Sequence, residues 1–354
     1  MLFDGKTIVI TGGTGSLGKV LVRRILGGKL GTPKKVIVFS RDEAKQHAMR
    51  LSYLHKTVST DDVIYQNFAK VLEFRIGDVR DYPAVCSAIK TADIVVNAAA
   101  LKQVPSCEYF PIEALLTNCM GASNIVRAIG ENGYRVSTVV AVSTDKACKP
   151  VNVMGMTKAL QERIFVAANI LNPKTRFVGV RYGNVLASRG SVIPLFHEQI
   201  KNSGPVTITV PDMTRFLLSL DSAVDTVFAA LKTALPGEIY VPDVASATVI
   251  NIAKALIGKR KIKIKTIGIR PGEKMHEVMV SEEEANHCVK RGDFYAIKSM
   301  LPEIAGAKTE PNALKGEFSS AHRVLDLPQT VALLNRHHLM PGDKVKWDDG
   351  ELLR

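Results

Sequence analysis

The residues best equipped for chemistry are Ser143-Thr144-Asp145-Lys146, which end an apolar run at 138–143. An adjacent carboxyl and amine push each other's proton affinities apart, so one can serve as acid and the other as base. The plain alternative is an ion pair at a strand end, which contributes little when exposed. Eight residues after Lys146 comes Met154-Gly155-Met156-Thr157-Lys158, which reads as a helix start. Positions 154 and 158 share one helix face. Lys158 can offer a charge there, whereas the Met154 thioether is neither a proton donor nor a base.

A second constellation is made for phosphate. The run Thr7–Thr11 leads into Gly12-Gly13-Thr14-Gly15-Ser16-Leu17-Gly18 and then an amphipathic stretch. Glycines at 12, 15 and 18 suit a tight turn, close backbone approach to a pyrophosphate, and helix packing against the strand. The helix start adds free N–H groups and a partial positive charge. Thr14, Ser16 and Leu17 lie within this turn. The next strand ends in Ser40-Arg41-Asp42, where an NAD site places a carboxylate on the ribose. Ser40 and Arg41 occupy that place instead, with Lys45 one turn on, and Arg41 can pair with a 2′-phosphate. NADP is therefore expected, while Asp42 keeps NAD open. Asp78 and Val79 follow the third strand, in reach of an adenine. Ala98 and Ala99 follow the fourth and are small enough for a cofactor to approach the backbone.

These residues need a scaffold that brings several strand ends together. Strand-like runs at Thr7–Thr11, Lys35–Ser40, 71–76, 93–97, 138–143 and Arg176–Tyr182 alternate with helical patterns at Ser16–Leu26, Tyr82–Ile89 and 112–129. Nearly all-apolar strands alternating with helices imply a parallel sheet covered on both faces. The expected fold is α/β, a Rossmann doubly wound sheet with a smaller, partly discontinuous C-terminal substrate domain. Residues 1–185, with about 216–240, form the cofactor domain; 186–215 and 241–301 form the substrate domain. Residues 302–354 read as a linker, with few periodic apolar positions to about 315, then a tail with one helix near 328–335. The segment 188–194 reads as a loop before a helix at 195–201.

Bulk properties exclude other classes. The chain has 354 residues, 46% hydrophobic and 23% charged, ordinary globular values. Its net charge of +13 is spread along the sequence; the densest run, 259–265, alternates like a solvated strand face. No nucleic-acid motif accompanies it, so no nucleic-acid partner is expected, and the charge suits attraction of an anionic nucleotide. Five cysteines show no metal-type pairing, His276 and His287 have no ligand spacing, and no metal is expected. Reduced thiols, a charged N-terminus and no apolar run of about 18–20 residues point to a soluble cytoplasmic protein without a membrane span.

In the short-chain dehydrogenases the slot of Met154 holds the tyrosine of Tyr-x-x-x-Lys. The combination here resembles one branch of that superfamily. Ala98-Ala99-Ala100-Leu101-Lys102-Gln103-Val104-Pro105-Ser106-Cys107-Glu108, Ser143-Thr144-Asp145-Lys146, Arg181-Tyr182-Gly183-Asn184-Val185, the stretch 188–194 and Asp212-Met213-Thr214-Arg215-Phe216 are similar to the bacterial UDP-N-acetylglucosamine 4,6-dehydratases that invert carbon 5. The capsule and O-antigen branch also carries Met in the tyrosine slot. The likeness spans about residues 3–300, with an apparent insertion near 55–69 and an unmatched tail.

The resemblance implies a redox-neutral sequence on a UDP-sugar. Hydride leaves carbon 4, water is lost across carbons 5 and 6, and hydride and a proton return. Lys146 would be the base at carbon 5, Asp145 the acid at the carbon 6 hydroxyl, and Thr144 a partner of the carbon 4 oxygen. Lys158 would hold the nicotinamide ribose. Lys102 and Asn118 are candidate cofactor or sugar contacts, and Asn184, Val192 and Ile193 candidate nucleotide contacts. Arg270-Pro271-Gly272-Glu273 looks like the family's Arg-x-Gly-Glu element, with Arg270 on the pyrophosphate and Glu273 on the uridine ribose. A homo-oligomer, up to a hexamer, is implied. Two rivals stay open: another epimerase or dehydratase on the same scaffold, and a silent NADP-binding sensor.

Overall fold

The computed structural model describes residues 1–54, 71–186, 191–305 and 310–343; the insertion near 55–69 and residues 188–190 lie outside the described residues. Strands β1 (Thr7–Thr11), β2 (Lys35–Ser40), β3 (Leu72–Ile76), β4 (Ile94–Asn97), β5 (Thr138–Thr144) and β6 (Arg176–Tyr182) stand in the order β3-β2-β1-β4-β5-β6, all parallel. The strand Ile239–Pro242 continues the sheet in parallel beside β6, and the hairpin strands Phe294–Ile297 and Cys288–Arg291 close that edge in antiparallel sense.

Burial on both faces explains the unbroken apolar runs. On one face Ile8, Ile10, Val36 and Val38 pack with Leu21, Val22 and Ile25 of helix Ser16–Leu26 and Val224, Val227 and Phe228 of helix Leu220–Thr233. On the other, Val9, Ile37 and Val95 meet Val85, Ile125, Phe165 and Ala168 from helices Tyr82–Ile89, Gly121–Asn132 and Val153–Leu171. Chain order reverses between β1 and β4, so a crevice opens at the carboxyl ends of these strands, where such folds bind ligands. A smaller lobe is built around Phe196, Ile252, Leu256 and Leu334 from helices Val192–Lys201, Val249–Ile257 and Leu327–Arg336.

Several boundaries differ from the expectation. Residues 288–297, assigned above to the substrate domain, are edge strands of the main sheet, because Cys288, Val289, Ala296 and Ile297 bury their side chains there. The helical stretch 112–129 is broken into Pro111–Leu115, a wide π-turn at Leu116–Met120, and Gly121–Asn132. The wide turn aims Asn118 inward, where it brackets both backbone groups of Leu101. The second lobe's helix starts at Val192 rather than 195. Of the basic run 259–265 only the end is a strand, Ile264–Thr266. The tail is docked: Phe318–Ser319 pairs with Val278–Val280, and Val324–Leu325 with Ser246–Thr248. No helix among the described residues is long and apolar enough to cross a membrane.

Candidate active site

The crevice is a cavity of about 820 Å³ running from the glycine turn to residues 270–273. Its floor is set by backbone contact. Gly12 has φ +65°, and a Cβ there would stand 2.8 Å from the Ala99 backbone; one on Gly18 would stand 2.5 Å from Gly13 Cα. No side chain caps the helix that starts at Ser16, and its N-terminal turn, Ser16 to Gly18, faces the cavity. Thr14, Gly15, Ser16, Leu17, Lys45, Ala98 and Ala99 complete this wall. A dinucleotide pyrophosphate fits such a cradle, and the residues that would hold it are those of the turn.

The other expected cofactor residues stand behind or beside the wall. Ser40 is buried, with its hydroxyl 2.9 Å from that of Thr14, and so braces the turn. Arg41 is exposed, 3.7 Å from Asp78, which Arg80 also holds. Asp42 accepts from the Lys45 backbone and pairs with its ammonium. Val79 lies in the core under Gly121, so its side chain is not a ligand contact.

At the carboxyl end of β5 the chain makes one 3₁₀ turn, Asp145–Ala147. Lys146 lines the cavity with its ammonium 3.1 Å from Asp145 Oδ1 and 3.1 Å from Glu277 Oε1. Asp145 is fully buried and is not part of the wall; it reaches the cavity through Thr144, whose hydroxyl donates to Oδ1 at 2.9 Å, and through Lys146. Burial raises the proton affinity of Asp145 more than the Lys146 ammonium lowers it. For Lys146 burial opposes the charge, but the carboxylates of Asp145 and Glu277 outweigh it and raise the pKa. Burial also works against the Glu277 carboxylate, yet Lys146 and Arg215 hold its pKa below the ordinary value. The three groups thus favour an ammonium at Lys146 and a carboxylate at Glu277, while Asp145 is the carboxyl group whose proton affinity burial raises.

Lys158 and Met154 both line the cavity, as their spacing on helix Val153–Leu171 requires. The Lys158 ammonium donates to the carbonyl of Val142 and to Gln161, and burial lowers its pKa to about 8. Met154 packs with Cys107 and Ala114 and offers no proton. Gly155 lets the helix start lie against the turn that carries Lys146, since a Cβ there would stand 2.3 Å from the Lys146 carbonyl oxygen. Asn118 binds Leu101 and Thr157 and is a brace rather than a ligand contact.

On the far side, Lys102, Asn184, Arg270 and Glu273 line the cavity. Val192 and Ile193 do not; Ile193 is in the small lobe's apolar core, and Ser191 is the wall residue there. Glu277 and Arg215 were assigned no role above, and both are wall residues. Arg215 stood in the quoted Asp212–Phe216 motif, but no local spacing relates either residue to Lys146. Buried oxygens of Asn184, Ser191 and Glu277 in this wall, and of Asp145 behind it, have no hydrogen-bond partner. Such groups cost about 1–3 kcal/mol each when unmet, so the cavity is built for a polar ligand.

This fold and crevice are of the extended short-chain dehydrogenase/reductase type. The chain belongs to the polysaccharide biosynthesis protein family, whose profile matches residues 8–299, and has the fold of the sugar-nucleotide epimerases and dehydratases. It is 45% identical over 301 residues to a UDP-glucose 4-epimerase of Rickettsia bellii (strain OSU 85-389), covering 84% of each chain. Among solved structures it is similar to Pen from Bacillus thuringiensis, with 33% identity, TM-score 0.85, and coverage of 96% of this chain and 100% of that one. DesIV, a dTDP-glucose 4,6-dehydratase of Streptomyces venezuelae solved with NAD, shares the fold at 19% identity and TM-score 0.63, over 76% of this chain and 86% of its own.

Proposed function

We propose that the protein carries out redox-neutral 4,6-dehydration of UDP-N-acetylglucosamine with inversion at carbon 5. The product would be a UDP-2-acetamido-2,6-dideoxy-β-L-arabino-4-hexulose for surface polysaccharide synthesis. The observation that carries this reading is Lys146 in the cavity wall, held between the carboxyl groups of Asp145 and Glu277, beside a tyrosine slot filled by Met154. A second reading, 4-epimerisation of a UDP-sugar, has the relatives' printed name in its favour. Asp145 and Lys146 favour the first reading, because proton removal at carbon 5 and loss of the carbon 6 hydroxyl need an acid and a base that 4-epimerisation does not.

A bound NADP supplies reversible hydride transfer to and from the sugar. The chain's own residues then manage protons. Lys146, once neutral, takes the proton from carbon 5. Asp145 supplies the acid proton through the Thr144 hydroxyl, which turns from Asp145 Oδ1 to the sugar, gives its own proton to the carbon 6 oxygen and takes the Asp145 proton in exchange, since Thr144 is in the wall and Asp145 is not. The C5–H electron pair forms the double bond to carbon 6 as water leaves. Asn184, Arg270 and Glu273 hold the nucleotide, and Lys158 the ribose of the cofactor.

In deuterium oxide, wild-type protein with NADP and UDP-N-acetylglucosamine should give a new methyl signal by proton NMR, deuterium at carbon 5 and no net NADPH. Recovery of a 4-epimer without a methyl group would select the second reading. For the cofactor, Arg41→Ala should weaken NADP about tenfold relative to NAD in a calorimetric titration, the loss of one charge-assisted contact. Lys158 loses its charge as pH rises through about 8. NADP affinity should therefore fall across that value in wild type and show no such step in Lys158→Gln. The exposed apolar side chains of Tyr109, Phe110, Ile112, Met156 and Leu160 support assembly into a homo-oligomer, up to a hexamer. A monomer-sized particle in light scattering at micromolar protein would exclude it.

A further inference from the structure

Lys146 presents a chemical difficulty for its own role. An ammonium held between two carboxyl groups is not a base, and Asp145, the acid of the proposed step, lies behind the cavity wall rather than in it. Glu277 differs from Asp145 in lining the cavity and in having Arg215 within 3.9 Å. It lines the cavity, its Oε1 contacts the Lys146 ammonium at 3.1 Å, and its Oε2 is buried with no hydrogen-bond partner. Its backbone is pinned, the N–H donating to Ser320 Oγ at 2.9 Å. The charged groups facing it are Lys146, Arg215 at 3.9 Å and, further off, Lys274.

We propose that Glu277 is a positioning residue for the base: it fixes the Lys146 ammonium at the cavity wall and receives its proton, so that Lys146 becomes a neutral amine when substrate is bound. This rests on the assignment of Lys146 as the base at carbon 5. In the step, one Lys146 N–H bond breaks and one Glu277 O–H bond forms. The charges cancel within the pair, and the nitrogen keeps the electron pair that then takes the carbon 5 proton. A site emptied of water favours this exchange, because it replaces two buried charges by two neutral groups.

Two readouts test it with full-length protein. The first is trace labelling of Lys146 by acetic anhydride across pH, read by mass spectrometry, which needs neither cofactor nor turnover. Wild type should label only at pH well above that of an ordinary lysine. Glu277→Gln keeps the shape but not the charge and should begin labelling at lower pH by a unit or more, while Glu277→Asp should follow wild type. The second is turnover: Glu277→Gln should lose about a hundredfold in kcat with KM within twofold, and Glu277→Asp should recover most of that loss. If the labelling onset is the same in Glu277→Gln and wild type, the inference is overturned. If the onset shifts but wild type forms no methyl sugar, the dehydratase reading has failed while the link between Glu277 and Lys146 stands.

Discussion

Lys146→Ala should lower kcat for methyl formation by about a thousandfold and abolish deuterium incorporation at carbon 5, with NADP affinity within about twofold of wild type. The size follows from general acid–base catalysis, which contributes on the order of 10²–10⁴. The selectivity follows from the site's layout. Lys146 stands at the end of β5 with Glu277, whereas the cradle for the pyrophosphate is formed by Gly12–Gly18, on a different strand and helix. The change removes the cation shared by Asp145 and Glu277, so the proton affinity of Asp145 rises further and Glu277 is left with Arg215. Single-turnover NMR with bound NADP checks it; turnover within tenfold of wild type would remove Lys146 from the role of base.

Arg181→Leu is expected to be the most damaging single change to stability, at about 3–5 kcal/mol near neutral pH. Arg181 is fully buried on β6 and pairs with Glu162 at 2.6 Å and Glu284 at 2.7 Å, while also donating to the Met279 carbonyl. Those partners belong to the helix that carries Lys158 and to the short turn Glu282–Ala285, so one guanidinium ties both to the sheet. The loss should depend on pH. Burial opposes the Glu284 carboxylate, but Arg181 overcomes this and holds its pKa below the ordinary 4.5. That stabilisation is present above about pH 4.5 and disappears as pH falls through the lower folded value. Without Arg181 the Glu284 carboxylate must take up a proton to stay buried. The penalty should therefore be larger at pH 7.5 than at pH 5 in urea denaturation, and an equal penalty at both would mean that packing, not charge, dominates.

The parts of the molecule legible in its sequence are those where one physical rule acts alone. Strands buried on both faces must be apolar throughout, so β1, β2 and β6 have the limits read from the run of residues. Gly12 and Gly18 were legible because no side chain fits where they stand. Two rules compete at 112–129, where apolar periodicity argues for one helix, yet Asn118 must reach Leu101 and forces a wide turn. The small lobe was hard to read because its strands are only two or three residues long, too short for a period to develop. Glu277 and Arg215 escaped for a different reason: their meaning comes from Lys146, a neighbour only after folding. Asp145 was rightly seen as titratable, but nothing in the local sequence says that Gly183 covers it.

The docked tail changes what counts as the whole enzyme. The family match ends at residue 299, but Ser320 accepts the Glu277 N–H and lies 2.7 Å from the Thr214 hydroxyl, next to Arg215. Phe318–Ser319 zips along Val278–Val280, the strand that begins one residue after Glu277. The last stretch of chain is thus a keystone, placed after the arch it locks. Synthesis must run past the recognisable family segment before the wall behind Lys146 is braced, so the smallest unit with a braced wall is longer than the unit that defines the lineage.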